Sequence, residues 1–238
     1  MFSFLDHIDE KLTLQYHNHL NQRIFDGDYL KPEVRKKLLE IAVSWGKFSK
    51  IPENLIKDII LTGGNCNYNY TRYSDLDIHL VFDRDKLFSD REYVDEYLSD
   101  KKTLWSLSRN IRVKGYTVEL YAQDSKDALI ASGVYSLRRN EWISKPVHGN
   151  YNFKNDAALE KKVDEFKDTI YNMIENNDSE EDFKIIKEKL KNMRNAALSS
   201  GGEFSFENLL FKELRNEGIL DKMNKYLQAR KDKDLSLD

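Results

Sequence analysis

Ser74 to Phe82 constrains the fold of this chain more than any other stretch. It reads Ser-Asp-Leu-Asp-Ile-His-Leu-Val-Phe and alternates polar and apolar side chains over most of its length, the period-two pattern of a β-strand. Leu76, Ile78, Leu80 and Phe82 make one face. Asp75 and Asp77 therefore project together from the other side, about 7 Å apart at the backbone.

Two further strands are expected around it. Ile56 to Thr62 is rich in isoleucine and runs straight into Gly63-Gly64, which predicts a buried strand closed by a tight turn. Ile111 to Ala122 alternates again, with Val118, Leu120 and Ala122 on one side and Thr117, Glu119 and Tyr121 on the other. Val134 to Ile143 reads as a small hairpin or a helix-turn. Helical spacing predicts helices over Leu5 to Ile24, Pro32 to Trp45 with Gly46 as the stop, and Asp90 to Asn110 with an interruption near Ser99-Asp100. Beyond Pro146, three long Lys- and Glu-rich helices are expected over Ala157 to Ile174, Glu180 to Leu198 and Phe206 to Leu227. Ser199 to Gly202 reads as a flexible turn and Arg230 to Asp238 as a frayed end.

The fold class that follows is α+β: a small mixed β-sheet core with flanking helices and a helical carboxyl-terminal region. The organisation expected is amino-terminal helices over 1–55, a catalytic core over 56–146 and the helical region over 147–238. A length of 238 residues suits this.

Composition excludes several classes. Lys and Arg number 38 against 41 Asp and Glu, so no overall basic field is present to coat a duplex by its phosphates. Cys66 is the one cysteine, which excludes an internal disulfide framework and a Cys-rich zinc site. No apolar run approaches the roughly 20 residues that span a bilayer, and Asp6, His7 and Asp9 interrupt the start before a signal peptide could develop. A cytoplasmic protein without a membrane partner is expected.

Three features carry the chemistry: a strand ending in Gly63-Gly64, a strand bearing Asp75 and Asp77, and a later strand bearing Glu119. Two carboxylates so close repel and call for a cation, and hard divalent ions match carboxylate oxygens. A third carboxylate from a neighbouring strand, Glu119, would supply the shared ligands that a pair of ions about 3.5 to 4 Å apart requires. Glycines without a Cβ let backbone N–H groups approach a phosphate closely. The plainer readings are a solvated sheet face for the acids and an ordinary strand-ending turn for the glycines.

The run Leu61-Thr62-Gly63-Gly64, then Asp75-Leu76-Asp77-Ile78, then an acid within Thr117-Val118-Glu119-Leu120-Tyr121, resembles the signature of the DNA polymerase beta type nucleotidyltransferase superfamily. The likeness covers roughly residues 56 to 122, and the chain is also similar to phage-encoded members. The resemblance implies that Asp75, Asp77 and Glu119 hold two magnesium ions, manganese being an alternative, and that Gly63 and Gly64 contact a nucleoside triphosphate such as ATP. Many members carry a serine where Gly64 stands, and Asn65 or Ser74 could substitute for its hydroxyl. The third acid is Glu119 where aspartate is common. The activity implied is transfer of a nucleoside monophosphate to an acceptor hydroxyl with release of pyrophosphate, the acceptor being RNA, protein or a small molecule, with an RNA end favoured. A protein of another class, keeping the fold without catalysis and binding a partner through its charged helices, is the alternative.

Other residues have two readings at this level. His79 shares the face of Asp77 and reads as a wall of the site rather than a ligand. Arg109, Arg112 and Lys114, and separately Arg138, Arg139, Trp142 and Lys145, are basic clusters that could grip a triphosphate or nucleic acid, or simply be solvated.

Overall fold

The computed structural model describes residues 12–87, 91–151, 153 and 156–237. They form an α+β protein in two compact units, one over Tyr16–Asn150 and a helical one that joins the described residues after 150 to residues 12–15.

In the first unit, Phe25–Asp26 (β1) and Tyr29–Leu30 (β2) pair across the Asp26-Gly27-Asp28 bend. Pro32–Phe48 (α1) follows, with Pro32 in the first turn, where a missing N–H costs nothing. The helix continues past the expected stop at Gly46, which is buried and where a Cβ would lie 3.2 Å from a side-chain carbon of Leu80. Next come Ile56–Thr62 (β3), Leu76–Phe82 (β4), Arg91–Ser108 (α2), Arg112–Val113 (β5), Tyr116–Asp124 (β6), Val134–Ser136 (β7) and Glu141–Ser144 (β8). The strands order as β5-β6-β4-β3-β7-β8. Only β4 and β6 run parallel, joined through α2, and the other pairs are antiparallel.

One face of this sheet is apolar and covered. Ile59 and Leu61 of β3, Ile78 and Leu80 of β4 and Leu120 of β6 share a core cluster with Leu38 and Trp45 of α1 and Val94, Leu98 and Trp105 of α2. Each such side chain withdraws about 1.5–3 kcal/mol worth of apolar surface from water. The alternate residues are thereby turned to the opposite face, where the polar side chains collect.

Several expectations are corrected. The strand expected from Ile111 onward is a hairpin, because Lys114 (φ 52°) and Gly115 (φ 91°) form a two-residue turn between β5 and β6. Two successive left-handed residues match the twist of the flanking strands, and glycine takes the second without cost. The helix α2 is continuous through Ser99-Asp100. Val134 to Ile143 resolves as the β7–β8 hairpin. Of the helix expected over Leu5 to Ile24, the part up to Lys11 lies outside the described residues, and residues 12–24 are not helical. That segment is held by long-range bonds instead: His17 N–H donates to the Tyr68 carbonyl at 2.8 Å and Asn21 Nδ2 donates to Asn65 Oδ1 at 2.7 Å.

The helical unit contains Ala157–Glu175 (α3), Glu180–Gly201 (α4), Phe206–Asn216 (α5) and Ile219–Leu235 (α6). Asp156 caps α3, and Ser179 with Asp182 forms a reciprocal capping box on α4. Where one helix is expected from Phe206 to Leu227, Gly218 (φ 76°) separates two. The expected turn at Ser199 to Gly202 is helical as far as Gly201, and the expected frayed end is helical to Leu235. Glu213 is fully buried and accepts hydrogen bonds from the N–H and hydroxyl of Thr13 at 2.7 and 2.9 Å. Among the described residues, no helix is long and apolar enough to cross a membrane.

Candidate active site

The parallel register of β4 and β6 sets Asp77 opposite Glu119, His79 opposite Tyr121 and Val81 opposite Gln123. Directly opposed residues of paired strands point to the same side, and neighbouring strands lie about 4.8 Å apart. Asp77 and Glu119 are therefore adjacent on the face that α1 and α2 leave uncovered. Asp75 stands one residue before β4. All three charges reach the Tyr121 hydroxyl: burial first, then the carboxylates of Asp77, Glu119 and Asp75, hold that phenol far above its ordinary pKa. Tyr121 is thus a fixed hydrogen-bond donor, and it donates to Glu119 Oε2. Lys102 of α2 adds a cation, its Nζ 3.6 Å from Glu119 Oε2 and 3.5 Å from the centre of the Tyr121 ring.

The diglycine turn meets these acids directly. Gly63 has φ 85° and ψ −170°, and a Cβ on it would lie 2.0 Å from Asp77 Oδ2. Only glycine lets the Asp77 carboxylate rest there. A Cβ on Gly64 would lie 3.1 Å from Ser74 Oγ. Residues 64–66 form a single 3-10 turn, in which the N–H groups of Cys66 and Asn67 donate to the carbonyls of Gly63 and Gly64.

The two polar substitutes have different settings. Asn65 is completely buried, and its side chain is engaged with the protein: Nδ2 donates to the Asp75 carbonyl at 2.9 Å while Oδ1 accepts from Asn21. It fixes the backbone of Asp75. Ser74 is partly exposed, and its Oγ accepts from Thr71 N–H at 2.9 Å, which leaves its own proton to be donated elsewhere.

The donor set consists of hard oxygens on one face, which suits magnesium or manganese. Among the described residues, however, no three His, Cys, Asp or Glu side chains converge as a ready cage. Asp75, Asp77 and Glu119 share a surface rather than a point, with Asp77 lying over Gly63 and Glu119 drawn to Tyr121 and Lys102.

His79 lies in the floor beside Tyr121. Its ring stacks on that of Tyr121 at 4.7 Å and its Nδ1 is 2.8 Å from Gln123 Oε1. Burial, with a smaller push from Lys102, lowers its pKa.

Several residues of the two basic clusters are committed to the protein itself. Arg109 stacks on Trp105, Lys114 pairs with Glu33, Arg138 donates to the Ile56 carbonyl, Arg139 pairs with Asp58, and Lys145 pairs with Asp28. Sequence reasoning passed over Lys102, Tyr121 and Asn21 as site residues. Tyr121 had a signal, since it sits two residues after Glu119 on the same side of a strand; Lys102 and Asn21 had none.

Neither a protein family model, nor a curated protein, nor a solved structure gives a significant match to this chain.

Proposed function

We propose that the protein is a nucleotidyltransferase of the DNA polymerase beta type, moving a nucleoside monophosphate from a nucleoside triphosphate to an acceptor hydroxyl. The observation that carries this reading is the register of Asp77 against Glu119, with the Asp77 carboxylate resting over Gly63. A turn able to bring backbone close to a phosphate then lies against a surface of carboxylates suited to a divalent ion.

Asp75, Asp77 and Glu119 are the residues that would hold magnesium, which when bound supplies charge stabilisation at the transferring phosphate and lowers the pKa of the attacking hydroxyl. Gly63 and Gly64 bring main chain against the triphosphate. Glu119 accepts the proton of the acceptor hydroxyl as its oxygen bonds to the α-phosphorus, and pyrophosphate leaves with the electron pair of the broken P–O bond. Tyr121 and Asn65 are positioning residues, one bonded to the Glu119 carboxylate and the other to the backbone of Asp75.

A second reading, a silent protein of the same fold, is favoured by one observation: the Lys102 ammonium already stands against Glu119. Incubation with magnesium and each nucleoside triphosphate decides between them. Pyrophosphate release that the Asp75→Ala, Asp77→Ala double variant abolishes, with its circular dichroism unchanged, supports the enzyme. No release and no thermal stabilisation by magnesium or nucleotide supports the silent protein.

A further inference from the structure

Next to Glu119 the open face of the sheet carries a cavity of about 570 Å³, within the range of sites that enclose a small molecule. Ile60 and Thr62 of β3, His79 of β4, and Tyr121 and Gln123 of β6 line it, and the loop from Asp127 to Ala131 walls it. The rings of His79 and Tyr121 stack on each other, 24° from parallel, and together border the cavity. Tyr121 belongs to both places, since it lines the cavity and donates to Glu119. Tyr121 and Glu119 are two residues apart on one side of β6, roughly 7 Å at the backbone, so a hydroxyl at the Tyr121 end of the cavity faces the carboxylate that would take its proton.

We propose that this cavity holds the acceptor, and that the acceptor is a small, uncharged, largely apolar hydroxyl compound rather than an RNA end. The proposal rests on the nucleotidyltransferase reading and narrows it. An RNA end brings phosphates, which are recognised by Lys and Arg, and among the described residues lining the cavity there is neither; its one carboxylate is Asp127, and Lys102, which stands over the Tyr121 ring, is paired with Glu119. Leu129, Ile130 and Ala131 supply an apolar wall instead, and Ile130 is 82% exposed at its position in that loop. The loop is also anchored: Thr62 Oγ1 donates to the Gly133 carbonyl at 3.0 Å, Asn67 Nδ2 donates to Ser132 Oγ at 2.8 Å, and a Cβ on Gly133 would collide with the Cys66 carbonyl oxygen. In the transfer the acceptor O–H bond breaks toward Glu119, the new O–P bond forms, and the α-phosphorus loses pyrophosphate.

The test uses naphthol as the uncharged probe, naphthalene sulfonate as its charged counterpart and a short RNA with a free 3′ hydroxyl. Binding is read by saturation-transfer NMR with neither nucleotide nor metal present. Naphthol is expected to bind saturably, with the sulfonate about tenfold weaker and naphthol weakened by about the same factor in Ala131→Trp and in Ala128→Trp, which fill the cavity from the loop. With magnesium and nucleoside triphosphate, mass spectrometry should find nucleotidylated naphthol and unextended RNA. Absence of saturable binding, full binding in both folded tryptophan variants, or RNA extension by the wild type overturns the proposal. Binding as expected with pyrophosphate release that naphthol does not raise overturns the acceptor role alone. Binding with no pyrophosphate from any nucleotide sinks the nucleotidyltransferase reading and the acceptor role with it.

Discussion

Gly63 and Asp77 compete for the same space: a Cβ at position 63 would come within 2.0 Å of an Asp77 carboxylate oxygen. The glycine and the acid lie on different elements, and the Thr62–Asp77 pairing of β3 and β4 brings them together.

Gly63→Ala should therefore fail in two ways, through its left-handed backbone and through the collision. Strain of this kind costs on the order of 1–3 kcal/mol, and urea unfolding should show a loss of at least about that size. In the Gly63→Ala, Asp77→Ala double variant the collision is gone while the strain remains. The cycle should give a coupling of about 0.5–3 kcal/mol, and strict additivity would refute the contact.

Asp77→Asn removes one charge from a surface where Asp75, Asp77 and Glu119 all bear on Tyr121. Without magnesium the variant should melt at or above the wild-type temperature. With magnesium the wild type should gain stability and the variant much less. Equal gains in scanning calorimetry would remove Asp77 from the ion site.

Tyr121→Phe deletes the donor to Glu119 and leaves the ring and its stacking on His79. A hydrogen bond to a charged group contributes about 1.5–3 kcal/mol. Pyrophosphate release should fall by about tenfold or more, with the fold and the KM for nucleotide little changed. A rise in the nucleotide KM at constant kcat would assign Tyr121 to nucleotide binding instead.

Glu213 gives a pH dependence of known sign. Burial, outweighing its bonds to Thr13, raises this carboxyl above its ordinary 4.5. The folded chain keeps the proton where the unfolded chain has lost it. Its contribution is thus complete below pH 4.5 and declines as pH rises through the higher folded value. Urea unfolding of Glu213→Gln against wild type should show the variant gaining relative stability across that window, and a constant difference would show that Glu213 does not titrate there.

Legibility in the sequence followed the range of the forces involved. The strand β3 was readable from its isoleucine-rich run into the diglycine and β4 from its alternation, both of them local signals. The hairpin at Lys114-Gly115 was hidden because period-two alternation continues on both sides of a two-residue turn. The segment before β1 misled because Leu12, Leu14, Leu20 and Ile24 are each buried in a non-helical path, which apolar spacing does not record. At the site, the acids and glycines stood out by residue type and order. The bond from Tyr121 to Glu119, the approach of Lys102 from α2 and the clasp of Asn21 on Asn65 depend on tertiary pairing alone.

Between Ser125, whose N–H is tied to the end of β4, and the clamp of Ser132 and Gly133 on the diglycine turn, residues 127–131 span a gap with both ends fastened. Side chains along such a span can be exchanged without displacing the carboxylates. On the nucleotidyltransferase reading proposed above, the residues that would choose the acceptor are in this way mutationally separable from those that would carry the transfer.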